Sequence, residues 1–238
     1  MTDTRCGSVA VVGAPNAGKS TLVNALVGQK VAIVSAKVQT TRTRLMGIAV
    51  DQSAQLLLVD TPGIFAPRRR LDRAMVRAAW DGAHGADVVL LVVDAKAGLK
   101  DDARAIITSL GARPEPKMLA LNKVDIAAKP RLLDLAAQAN AMVPFAETFF
   151  ISAETGDGVP ELKTALAAAL PAGPWEYPED QLVDATTRLL AAEITREQLY
   201  NRLHAELPYA STVETEKWEE RRDGSTVIHQ QILVERDS

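Results

Sequence analysis

Residues 9–20 read Val-Ala-Val-Val-Gly-Ala-Pro-Asn-Ala-Gly-Lys-Ser, and residues 21–27 continue Thr-Leu-Val-Asn-Ala-Leu-Val. An aliphatic run thus meets the pattern G-x-x-x-x-G-K-S, and an amphipathic run follows, so the pattern sits between a strand and a helix. Gly13 and Gly18 allow the backbone to wrap with its N–H groups pointing inward. The loop opens onto a helix N-terminus, where unpaired donors and the helix dipole favour an anion. Gly13, Ala14, Pro15, Asn16, Ala17 and Gly18 are therefore read as a cradle for a phosphate chain, closed by Lys19, Ser20 and Thr21. Lys19 is expected to bridge the outer phosphates, and Ser20 to offer its hydroxyl to magnesium. The competing reading, a glycine-rich turn with an incidental lysine, has to explain five coinciding features.

Working outward, short aliphatic runs alternate with helical periods from Ser8 to about Leu170, the pattern of an α/β domain with helices on both faces of a sheet. The expected strands are Ser8 to Val12, Leu45 to Val50, Gln55 to Asp60, Asp87 to Asp94, Lys117 to Asn122 and Glu147 to Ser152. Asp51-Gln52-Ser53 makes the second and third an antiparallel hairpin. Helices are expected after every strand except the second. Residues 171–180, Pro-Ala-Gly-Pro-Trp-Glu-Tyr-Pro-Glu-Asp, carry three prolines and are read as a linker. Residues 1–170 then form one domain and 181–238 a second, built of a helix over Ala185 to Leu207 and two strands joined at Asp223-Gly224.

Two further motifs end expected strands. Asp60-Thr61-Pro62-Gly63 follows Leu56-Leu-Leu-Val, placing Asp60 at the carboxyl edge of the sheet, where it can hold magnesium through water. The Gly63 N–H would sense a terminal phosphate. Asn122-Lys123-Val124-Asp125 ends another aliphatic strand. The Asp125 carboxylate can accept from N1–H and the 2-amino group of guanine, a donor pair that adenine lacks, so the expected nucleotide is GTP or GDP. Ser152-Ala153 ends the last strand, where backbone N–H groups would meet the guanine oxygen.

Composition narrows the field. With 27 basic and 30 acidic residues the net charge is −3, so no chain-wide basic field draws the protein to nucleic acid. Cys6, the only cysteine, excludes an internal disulfide and multi-cysteine metal sites, and reads as a small residue ahead of a strand. The most apolar runs are about a third of the roughly 20 residues a bilayer span needs. His84, His204 and His229 lack metal-ligand spacing, and Trp80, Trp175 and Trp218 read as packing residues. The run Arg68-Arg69-Arg70 with Arg73 and Arg77 is read either as a solvated helix face or as a contact for RNA phosphates.

These four elements, in this order, resemble the Ras-like GTPases related to translation factors. Gln39-Thr40-Thr41-Arg42-Thr43 with Gly47, the Pro-Trp linker, and Glu206-Leu-Pro-Tyr209 followed by Val213 to Glu220 are similar to the Era family of bacterial ribosome-assembly GTPases, over essentially the whole chain. The resemblance implies a Ras-like P-loop domain with a mostly parallel six-stranded sheet, followed by a KH-type α+β domain. It implies GTP hydrolysis with magnesium bound by Ser20, Asp60 and a threonine of the Q-T-T-R element, Thr41 being favoured over Thr40. Ile64 stands where many Ras-like enzymes orient water with glutamine. Relatives with an apolar residue there include enzymes activated by potassium through a P-loop asparagine, the position of Asn16. The expected catalytic set is therefore Lys19, Thr41, Gly63 and Asn16, with a loop-stabilising role for Asn16 as the alternative.

The implied partners are the small ribosomal subunit and the 3′ end of 16S ribosomal RNA. The expected location is the cytoplasm, with peripheral contact at the inner face of the cell membrane left open, and the expected state is a monomer. The family grips RNA through a G-x-x-G loop, and none follows residue 181. From Gln181 onward there are 7 basic and 11 acidic residues, a net of about −4. The expectation is a partial KH-like domain with little affinity for RNA. A GTP-dependent binding module without catalysis, or a related tRNA-modification GTPase, stands as the alternative.

Overall fold

The computed structural model describes residues 4–32, 34, 46–60, 84–183, 187–203, 211–221 and 223–234, and for Asp60 its place in a strand alone. Gln39 through Thr43, Thr61 to Ile64, the five arginines between 68 and 77, Trp80, His204 and Glu206 to Tyr209 lie outside the described residues, as does the helix expected after the third strand.

The first unit is built on β1 (Arg5–Val12), β2 (Met46–Asp51), β3 (Ala54–Asp60), β4 (Val88–Asp94), β5 (Lys117–Asn122) and β6 (Glu147–Ile151), in the order β2-β3-β1-β4-β5-β6. All neighbours run parallel except β2 and β3, the expected hairpin. Its loop is Gln52-Ser53, and Gln52 takes a left-handed φ of 51°. The first strand begins three residues earlier than its aliphatic run, because Arg5, Cys6 and Gly7 find backbone partners in Ala54, Gln55 and Leu56. Cys6 therefore lies inside the strand, which corrects the reading of it as a residue ahead of one.

Strand side chains alternate between faces, and the helices sort accordingly. Val9, Val11, Leu56, Leu58 and Leu90 pack in one cluster with Leu22 and Leu26 of α1 (Lys19–Val27) and Leu162 and Leu166 of α4 (Val159–Ala169). Ala10, Val12, Val89 and Leu91 pack in another with Ile106, Ile107 and Leu110 of α2 (Asp101–Gly111) and Leu135 and Ala139 of α3 (Leu132–Met142). Each leucine or isoleucine removed from water in these two layers contributes about 1.5–3 kcal/mol. The parallel register brings the carboxyl ends together: Val11 pairs with Asp60, Asp94 with Asn122, and Asn122 with Ile151. From β1 the chain reaches β3 on one side and β4 on the other, the topology that leaves a crevice beyond the strand ends.

The proline-rich stretch read as a linker packs against strands β1, β3 and β2 of this same unit. Pro171 lacks an N–H but keeps a carbonyl, which accepts from Cys6 N–H at 3.3 Å, and Ala172 bridges Arg5. Gln55, fully buried, accepts through Oε1 from the N–H groups of Glu176 and Tyr177, each at 3.0 Å, and donates through Nε2 to the Tyr177 carbonyl at 2.8 Å. Trp175 and Tyr177 pack on Cys6, Ile48 and Leu57, and Val183 bridges Gly47. The described part of this unit thus continues through Val183, beyond the expected boundary at 170.

In the second unit, α5 (Thr187–Arg202) packs on a hairpin of β7 (Ser211–Glu220) and β8 (Thr226–Val234). The turn contains Asp223-Gly224, as the sequence indicates, with Gly224 at φ 81°. The Thr195 hydroxyl donates to Gln230 Oε1 at 2.6 Å, and the Thr215 hydroxyl donates to the Arg188 carbonyl at 2.9 Å, tying helix to hairpin. Val34, between α1 and β2 in sequence, belongs to this unit, and its N–H donates to buried Glu197 at 3.0 Å.

Candidate nucleotide site

The loop from Gly13 to Gly18 is shaped by two close approaches. A Cβ at Gly13 would stand 2.4 Å from the Val92 carbonyl oxygen. At Gly18, with φ +96°, it would stand 2.2 Å from Asn122 Nδ2. No residue with a side chain fits either position without moving backbone or the buried amide.

Lys19 is buried, and its ammonium donates to the Gly13 and Ala14 carbonyls at 3.2 and 3.1 Å, so the charge sits inside the bend of the loop. Ala17 N–H donates to the Ala14 carbonyl, which closes the turn around half-buried Pro15. Asn16 is exposed at φ 60°. Ser20 and Thr21 lie half-buried in the first turn of α1. Asp60, at the end of β3, pairs with Val11, two residues before Gly13.

Asn122 ties these parts together. It is 2% exposed; its Nδ2 donates to the Ala17 carbonyl and its Oδ1 accepts from Ala153 N–H, both at 2.9 Å. One amide therefore joins the phosphate-type loop to the turn after β6. Lys123, at φ 68°, donates to the Asn16 carbonyl at 2.7 Å and pairs with Asp94 at 2.6 Å. Val124 N–H donates to the Ile151 carbonyl and Ile126 N–H to the Lys123 carbonyl, which holds the exposed carboxylate of Asp125 on a fixed turn. The Ser152 N–H donates to the Asp157 carbonyl at 2.9 Å, and the Ala153 N–H is taken by Asn122. Both N–H groups expected to meet a guanine oxygen are thus engaged within the protein in this arrangement.

Two residues of this neighbourhood escaped the sequence reading. Asp94 carries the charge opposite Lys123; the available signal was a carboxylate ending the run Val-Val-Leu-Leu-Val-Val, one strand over from Asn122. Asn24, in mid-helix, binds the backbone of Val31 and Ala32. Its signal was a residue type that competes with helix hydrogen bonds, set one turn after Ser20. Among the described residues no group of three or more His, Cys, Asp or Glu could hold a metal, and no helix is long and apolar enough to cross a membrane.

A mostly parallel sheet with this loop after its first strand, and with Asn122 binding that loop from the fifth, defines a Ras-like P-loop GTPase domain. Residues 8–123 match the family model described as "50S ribosome-binding GTPase". The chain is 62% identical to GTPase Era of Afipia carboxidovorans, over 99% of this chain and 76% of that protein. It superposes with a TM-score of 0.89 and 35% identity on the crystal structure of Era in complex with MgGDPNP and nucleotides 1506–1542 of 16S ribosomal RNA, covering 98% of this chain and 80% of that one. The same values hold for a variant of Aquifex aeolicus Era bound to GDP.AlF4−. The chain belongs to the GTPase Era family.

Proposed function

We propose that this protein is a GTP-binding and GTP-hydrolysing switch that acts in assembly of the small ribosomal subunit, through the 3′ end of 16S ribosomal RNA. The observation that carries the reading is the pair of hydrogen bonds of the Asn122 amide, donated to the Ala17 carbonyl and accepted from the Ala153 N–H, which ties the phosphate loop to the base-side loop. The RNA part rests on the complex of the related Era with 16S ribosomal RNA.

In this reading the backbone N–H groups of the loop around Gly18 and the Lys19 ammonium hold the phosphates, and the Asp125 carboxylate selects guanine. Lys123 holds the Asn16 carbonyl against Asp94 while the base lies beside it. Ser20 and Asp60 are oxygen donors at adjoining strand and helix ends, a set that suits magnesium, with Thr41 or Thr40 as the further ligand. Magnesium, when bound, neutralises charge developing between the outer phosphates. Gly63 senses the terminal phosphate, and Asn16 is the candidate potassium ligand. The helix and hairpin of the second unit form the KH-like part. The protein works in the cytoplasm.

Calorimetry with GDP, GTP, ADP and ATP tests the binding reading, and phosphate release with magnesium, in potassium against sodium, tests the hydrolysis. Guanine-selective binding with turnover is expected. Tight GTP binding without phosphate release would leave a binding module, and absence of binding by a folded sample would overturn both. Equal rates in sodium and potassium would remove Asn16 from the catalytic set. Titration with the RNA 3′ segment tests the partner.

A further inference from the structure

Asp94 ends β4, and its two carboxylate oxygens have separate uses. Oδ1 accepts from Ala97 N–H at 2.9 Å, closing the turn after the strand, and Oδ2 takes the Lys123 ammonium at 2.6 Å. The backbone here is fixed from both sides: Gly98 N–H donates to the Asp94 carbonyl, and Ala95 N–H to the Asn122 carbonyl. The carboxylate is therefore set before it meets the lysine. Lys123 is a flexible four-carbon stem on a left-handed residue, φ 68°, a conformation that persists only where neighbours hold it. A Cβ built on Gly18 would lie 3.9 Å from Lys123 Cε, so the stem passes close to the phosphate-type loop, and the ammonium donates to the Asn16 carbonyl at 2.7 Å. Asp94 thus sets the direction of a cation that bridges that loop and the strand carrying Asn122.

We propose that Asp94 is a positioning residue for the guanine nucleotide: by holding Lys123 it keeps the Asn16 end of the phosphate loop in the shape that receives the phosphates. The inference rests on the GTP-switch reading above. Without the carboxylate, the half-exposed ammonium keeps a neutral carbonyl as its partner, and water competes for its donors on a stem with rotamer freedom to regain. The loop serves GDP and GTP alike, so the loss falls on both nucleotides. An aspartate that only closed the turn at Ala97 would change stability and leave nucleotide affinity alone.

The test uses the full chain and reads affinity and dissociation rate for fluorescent GDP and a non-hydrolysable GTP analogue, with melting temperature alongside. Asp94→Asn keeps an acceptor for Ala97 N–H but turns a donor amide toward the ammonium. It is expected to weaken both nucleotides about tenfold, the size of one hydrogen bond to a charged group, at a melting temperature near wild type. Lys123→Met keeps the stem without the charge. In that background Asp94→Asn should change affinity by less than about twofold, since its effect runs through the lysine. Wild-type affinity in Asp94→Asn, or the full tenfold loss repeated in the Lys123→Met background, overturns the inference. Should Lys123→Met not fold, the affinity of Asp94→Asn against its melting temperature decides. A folded wild-type chain that binds neither nucleotide sinks the parent reading and this one with it, whereas a wild type that binds beside an unaltered Asp94→Asn sinks this one alone.

Discussion

Asn122 leaves no space for a side chain at Gly18: a Cβ built there would stand 2.2 Å from the Asn122 amide nitrogen. Residues 104 positions apart thus define each other, the glycine by having no side chain and the asparagine by filling the gap. Gly18→Ala must adopt φ +96° and displace that amide. It should cost about 1–3 kcal/mol of stability from backbone strain alone and abolish measurable GDP binding. Urea unfolding and calorimetry on the same sample check both.

Asn122→Ala removes the partners of the Ala17 carbonyl and the Ala153 N–H. Each buried group left unsatisfied costs about 1–3 kcal/mol. A lower urea midpoint at unchanged slope is therefore expected, together with weaker nucleotide binding. A midpoint equal to wild type would mean that water replaces both bonds.

Asp125 is exposed and sits on a turn fixed by its neighbours, so its substitution should leave stability within about 0.5 kcal/mol. Asp125→Asn should weaken GTP at least about tenfold and admit xanthine nucleotides, since the donor pair on the base loses its carboxylate. Competition between guanosine and xanthosine triphosphates for the labelled site measures this.

Glu115 gives a pH prediction remote from the nucleotide site. Burial alone would push its carboxyl up, but its own backbone N–H, the Arg113 guanidinium at 3.2 Å and the Gly85 N–H together hold it below the usual range. A depressed carboxylate stabilises the fold above the unfolded-state value of about 4.3 and loses that contribution as pH falls through the lower folded value. Melting temperatures between about pH 6 and pH 3 should therefore fall less steeply for Glu115→Gln than for wild type. Parallel curves would exclude Glu115 as a contributor.

The order of elements in the first unit was legible because its inner strands β1, β3, β4 and β5 are aliphatic and largely buried, so their runs stand out from the helical periods. The candidate site was legible where a residue type has one physical use: Gly18 at a left-handed turn, with Lys19 inside the bend of the loop that it closes. What hid were residues that act through the backbone. Asn24 and Gln55 are ordinary polar letters in helix and strand, and each is recognised only by where its amide lands, on Val31 and Ala32 or on Glu176 and Tyr177. The prolines of 171–180 did exclude regular pairing, but the carbonyl of Pro171 and the side chains of Trp175 and Tyr177 still fasten that stretch to the sheet.

The amide of Gln55 also bears on how a nucleotide-binding fragment should be prepared. Truncation after Leu170, where α4 stops, would expose Ile48 and Leu57 and strand a glutamine whose three backbone partners had all been cut away. A fragment carried on to Val183 keeps the strap in place, and it is the longer piece that should express as a monodisperse, crystallisable species.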